Sequence, residues 1–112
     1  MKTHKQLKDA YQQMESRMGV FQISCLANGK SLVDHSVDMK SRWNRIRTEL
    51  RFGSHRNRDL QEDWNQYGED QFRFEILSEL KKTEDEHVNY NKELTTLQQL
   101  VIEELQINNL YT

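Results

Sequence analysis

Apolar positions along this chain follow two periods. Between residues 3 and 16, Leu7, Ala10, Tyr11 and Met14 recur at spacings of three and four with Lys and Gln between them, which predicts a short amphipathic helix with a thin stripe. Residues 20 to 27 (Val20-Phe21-Gln22-Ile23-Ser24-Cys25-Leu26-Ala27) are rich in strand formers. Asn28-Gly29 follows, then a second such run over residues 30 to 35. Asn-Gly between two strand-like runs signals a hairpin, because both central residues of a type I′ turn need positive φ.

The helical period then returns. Met39, Trp43, Ile46 and Leu50 make one apolar face, with Asp38 as its cap and Phe52-Gly53 as its end. A second helix is expected over residues 58 to 67, capped by Asn57, with Leu60, Trp64 and Tyr67 inward and Gly68 ending it. Phe72-Arg73-Phe74-Glu75-Ile76-Leu77 alternates and reads as a half-buried strand. Residues 81 to 87 are charged and read as a loop. A last helix is expected over residues 88 to 106, with Leu94, Leu97, Val101 and Leu105 as its buried stripe. The order implies an α+β fold, a small three-stranded antiparallel sheet flanked by helices. The division expected is an N-terminal helical arm over 1–17, one domain over 18–106 and a C-terminal tail over 107–112.

Composition adds limits. The chain has 112 residues, 35% apolar and 30% charged, with no Pro and no linker-like stretch, which suits one core. A single Cys, Cys25, excludes an internal disulfide and a Cys-based zinc site, and its apolar setting suggests a buried, inert thiol. No segment approaches the roughly 20 apolar residues of a membrane span, and the N-terminus is too polar for a signal peptide. A cytoplasmic location is therefore expected.

Net charge is only -2, but its distribution is uneven. Between residues 40 and 58 stand Lys40, Arg42, Arg45, Arg47, Arg51, Arg56 and Arg58 against one acid, Glu49, a window of +6. Residues 59–112 carry -9. The basic window reads as a phosphate-binding footprint, and the planar fork of Arg suits phosphate. The competing reading is a solvated helix face paired with the acidic half. Trp43 and Trp64 at helical spacing read as core residues.

Taken in order, these residues resemble the GIY-YIG nucleases. Gly19-Val20-Phe21-Gln22-Ile23 resembles the first motif of that family. Leu32-Val33-Asp34-His35-Ser36 falls at the second, and Ser41-Arg42-Trp43 resembles the Arg helix. The stretch from Gly53-Ser54-His55 to Ile76-Leu77 resembles a common form of the family, and the likeness spans roughly residues 18 to 105. It implies a divalent-metal-dependent cut of a phosphodiester.

The expected chemistry is altered at several positions. Phe21 and Leu32 stand where the resemblance implies tyrosines, and Phe has no hydroxyl to move a proton. Asp34 replaces a close-packing Gly. Gln98 falls at the metal-binding Glu, and a neutral amide suits Mg²⁺ poorly. Glu93, Glu103 and Glu104 lie elsewhere around that helix. Arg42, which the resemblance places at the scissile phosphate, remains. His35 and His55 are candidate bases near neutral pH.

Three functions follow. The first is a catalytically impaired endonuclease-like domain that binds nucleic acid, DNA in preference to RNA, through the Arg-rich helix, with no cofactor. The second is an active endonuclease with a rearranged site, His35 or His55 as base and Asp34 or Glu75 holding Mg²⁺ or Mn²⁺. The third is a protein-interaction domain, such as a homo-oligomer built on the N-terminal helix. None involves a membrane.

Overall fold

The computed structural model describes residues 17–83 and 87–111. The amphipathic helix expected over residues 3 to 16 lies outside them. Three strands, β1 (Gly19–Cys25), β2 (Ser31–Ser36) and β3 (Phe72–Glu79), form one antiparallel sheet in the order β2-β1-β3. Three helices complete it: α1 (Met39–Arg51), α2 (Arg58–Tyr67) and α3 (Tyr90–Glu104). A 3-10 turn, Glu69–Gln71, leads into β3. The expected α+β class and three-stranded sheet are those of the structure.

β1 is the central strand and is buried on both faces. Phe21, Ile23 and Cys25 point to one side, into a core shared with Met39, Ile46 and Leu50 of α1 and Leu60 and Trp64 of α2. Val20 points to the other, into a smaller cluster with Val33, Leu97, Val101 and Ile102. The sheet is thus a layer between α1 and α2 on one face and α3 on the other. Gly19 is where the chain permits close approach, since a Cβ there would lie 2.1 Å from the Ser78 carbonyl oxygen. Opposite it the β1–β3 register slips, Val20 facing Ser78 and Phe21 facing Ile76, so Leu77 is an extra residue that turns to the α3 face.

The caps explain the helix starts. Asp38 accepts from the Ser41 N–H at 3.1 Å, Asn57 from Leu60 N–H at 3.1 Å and Asn89 from Lys92 N–H at 3.1 Å. Trp43 is half-buried, stacked on Phe74 with ring centres 5.3 Å apart.

Two apolar positions depart from the sequence pattern. Tyr67 is exposed rather than inward, because α2 ends there and Gln61, a polar residue, takes the inner position beside Leu60 and Trp64. Leu105 is exposed as well. α3 stops at Glu104 and the chain turns through Gln106 at φ 52°, so Leu105 swings outward while Ile102 and Ile107 pack. The packed body also runs past residue 106. Ser31 N–H donates to the Asn109 carbonyl and Tyr111 N–H to the Ser31 carbonyl. The Tyr111 ring is buried, and its hydroxyl donates to Asp63 Oδ2 at 2.6 Å. Among the described residues no helix is long and apolar enough to cross a membrane.

Candidate functional site

α1, the edge strand β2 and the loop before α2 enclose a cavity of about 490 Å³. α1 contributes Arg42, Arg45 and Glu49, which recur at three and four residues and so share one face. β2 contributes Leu32 and Asp34, whose side chains alternate to the α1 side of the sheet. The loop contributes His55, Arg56 and Asn57.

Three of the seven basic residues of the Arg-rich window therefore line this cavity. Arg45 is paired within it to Glu49, Nε to Oε1 at 3.0 Å. Arg42 and Arg56 have no ion-pair partner among the described residues. The others lie elsewhere. Arg47 stacks over Trp43 at 5.2 Å and donates to Asn44. Arg51 makes a two-pronged bond to Glu69 at 2.6 and 2.9 Å. Lys40 and Arg58 do not line the cavity.

The loop that carries His55 is held by Gln61. Its Nε2 donates to the Leu50 carbonyl at 2.9 Å, and its Oε1 accepts from the His55 N–H at 3.0 Å. One buried amide thus ties the loop to the end of α1. Its sequence signal is faint: a Gln flanked by Leu60 and Trp64 on an inner face. Burial pushes the His55 imidazole below its ordinary value of 6.5, against a weaker opposing pull from Glu49. Its Nδ1 accepts from the Asn57 N–H at 3.0 Å. A neutral ring with an accepting Nδ1 carries its proton on Nε2. At neutral pH His55 therefore has an N–H to offer there and no lone pair.

His35 has the opposite tautomer. It sits on the α3 side of β2, where a second cavity of about 540 Å³ is lined by Asp34, His35, Thr95, Thr96 and Gln98. Gln98 Nε2 donates to the Val33 carbonyl at 3.1 Å, which leaves its Oε1 facing His35 Nδ1 at 2.5 Å. An oxygen there requires the proton on Nδ1, and a neutral ring so bonded has its lone pair on Nε2. Asp34 borders both cavities, and its Oδ1 accepts from the His35 backbone N–H at 2.8 Å.

At the two positions where the resemblance implies tyrosines, the side chains pack on the core. Phe21 is fully buried, with its ring 5.3 Å from Phe74. Leu32 packs on the same core at the cavity wall. Glu75 points outward on β3, and Arg73 Nη1 lies 3.8 Å from it.

The donors suit a hard divalent cation poorly. Both ends of the Gln98 amide are engaged, and no group of three or more His, Cys, Asp or Glu able to hold a metal occurs among the described residues. Of the cavity carboxylates, Glu49 is already paired to Arg45, and Asp34 accepts from the His35 backbone N–H.

No protein-family model and no curated protein matches the chain. Solved structures do. The catalytic domain of the homing endonuclease I-TevI is 26% identical with a TM-score of 0.68, the likeness covering 85% of this chain and 96% of that one. A point mutant of the same domain, described as that of an intron endonuclease, gives 27% identity and a TM-score of 0.68 over 86% and 92% of the two chains. A sheet ordered β2-β1-β3, the Arg-bearing helix and this likeness agree, and together they support membership of the GIY-YIG nuclease superfamily.

Proposed function

We propose that this domain binds the phosphodiester backbone of nucleic acid, DNA in preference to RNA, without cutting it. One observation carries the reading: Arg42 and Arg56 meet the neutral His55 in a single concave cavity with no carboxylate paired to either guanidinium. Two guanidinium forks and a neutral N–H form a donor set for phosphate oxygens. The relatives are nuclease catalytic domains, which supports a nucleic-acid partner. The loss of cutting rests on three positions of different duty. Phe21 and Leu32 have no hydroxyl to move a proton, and the Gln98 amide is bound to His35 and Val33.

A second reading has one observation in its favour. His35 keeps an Nε2 lone pair and is the candidate base of a rearranged endonuclease. His55 is not, because its accepting nitrogen is occupied.

One experiment separates them. Protein is incubated with supercoiled plasmid and with labelled linear and branched DNA in Mg²⁺, Mn²⁺ and EDTA, beside Arg42→Ala. Retention at low salt without nicking, weakened in the variant, is the expected result. Divalent-dependent nicking abolished in Arg42→Ala establishes the rearranged enzyme instead. Neither nicking nor retention leaves a protein-interaction domain.

A further inference from the structure

Phe52 is the outlier on this surface. Its side chain is 80% exposed, whereas the next most exposed large apolar residues, Leu26 and Leu105, are at 54%. Phe52 caps α1 with helical angles, φ -87° and ψ -1°, so its Cβ keeps the phase of the helix. At about 100° per residue, positions 42, 45, 49 and 52 fall within roughly 80° of one another. Phe52 therefore extends the cavity-lining row of Arg42, Arg45 and Glu49, about 15 Å along the axis from Arg42. The turn beyond it is fixed. Ser54 N–H donates to the Glu49 carbonyl at 2.8 Å, Gly53 takes φ 73°, and the chain then reaches His55 and Arg56 in the cavity.

We infer that Phe52 is a stacking platform for an unpaired base of a strand whose backbone lies across Arg42 and Arg56. The inference rests on the nucleic-acid reading and names the substrate class within it: single-stranded, frayed or branched DNA rather than continuous duplex. A duplex hides its base faces, while an unpaired base offers a π-face to an exposed aromatic ring beside bound phosphates. The basic cavity at the foot of the same helix face supplies the charge complement. A protein partner finds an isolated ring there and no apolar patch around it, since Arg51, Gly53 and Ser54 on either side are exposed polar or small residues.

The test measures affinity of the wild-type chain, Phe52→Ala, Phe52→Trp and Arg42→Ala for a single-stranded oligonucleotide, its abasic counterpart and a blunt duplex. Phe52→Ala is expected to weaken single-strand binding by roughly 5- to 150-fold, with Phe52→Trp close to wild type. The abasic strand should show no dependence on residue 52, a difference that a folding defect does not produce. If Arg42→Ala weakens binding but Phe52→Ala does not, or if Phe52→Ala acts equally on the abasic strand, the stacking role is overturned while the phosphate reading survives. If the wild-type chain binds none of the three, both fall together.

Discussion

Gln98 and His35 are joined across the gap between α3 and β2, Oε1 to Nδ1 at 2.5 Å, while the other end of the amide donates to the Val33 carbonyl. An amide can serve both partners because it has an acceptor and a donor. A carboxylate cannot. Gln98→Glu keeps the contact to His35 and places an oxygen against the Val33 carbonyl. The expected cost is about 1–3 kcal/mol of stability, read by urea unfolding. The variant should still not nick plasmid in Mn²⁺, since Phe21 and Leu32 are unchanged. Nicking by this single variant would show that the rest of the site is competent.

The two histidines should be distinguishable in solution at neutral pH. Long-range ¹H–¹⁵N correlation is expected to show His55 with its proton on Nε2 and His35 with its proton on Nδ1. The reverse assignment for His55 would return it to the list of candidate bases.

How legible was this arrangement in the sequence? The hairpin, the caps Asp38 and Asn57 and the apolar steps of α1 depend on neighbours within a few residues, and such local rules are written locally, although the turn is not the expected type I′, since Gly29 takes φ 76° and Asn28 has no positive φ. Arg42 and His55 were visible as chemistry, but their meeting required the loop to fold back, which Gln61 achieves by contacts eleven and six residues away. Tyr111 was unreadable for the same reason. Its burial depends on Asp63 and Ser31, which the fold brings to it from 48 and 80 residues away in the chain. The basic window also looked uniform in sequence, whereas the fold commits Arg47 to Trp43 and Arg51 to Glu69 and leaves Arg42 and Arg56 in the cavity.

The C-terminal residues should therefore matter for stability. Tyr111 is buried against the main core, and its hydroxyl shares Asp63 Oδ2 with the Asn28 amide at 2.7 Å. Tyr111→Phe removes one hydrogen bond and leaves Asp63 its Asn28 partner, for an expected loss of about 1 kcal/mol. Tyr111→Ala also opens a cavity and should cost about 3–5 kcal/mol. Equal, negligible effects of both changes on the urea midpoint would contradict this packing.

His55 also sets a pH dependence. Its folded value lies below the ordinary 6.5 because burial penalises the charged ring. Between those two values the unfolded chain binds more protons than the folded one, so stability rises with pH across that window and is lost as pH falls below about 6.5. In His55→Asn an amide oxygen can still accept from the Asn57 N–H, but nothing titrates. The variant should flatten this part of the stability profile, measured by urea unfolding at half-unit steps from pH 5 to 8. An unchanged slope would assign the dependence to another group.

The last prediction separates the arginines. Arg42 has no ion-pair partner among the described residues, whereas Arg51 is bound through two nitrogens to Glu69, whose carboxyl it holds below the usual range. A guanidinium already neutralised displaces fewer counterions from a phosphate than an unpaired one. Arg42→Ala should weaken DNA binding at low salt and lower the slope of log affinity against log salt by about one. Arg51→Ala should leave the slope near that of the wild-type chain. Glu69→Gln should then release the Arg51 charge and steepen the slope. Titrations of the four proteins between 50 and 200 mM salt, about a decade in counterion effect per few contacts, test the ordering directly. If Arg51→Ala and Arg42→Ala lower the slope equally, the phosphate contact is spread over the whole basic face and is not focused on the cavity.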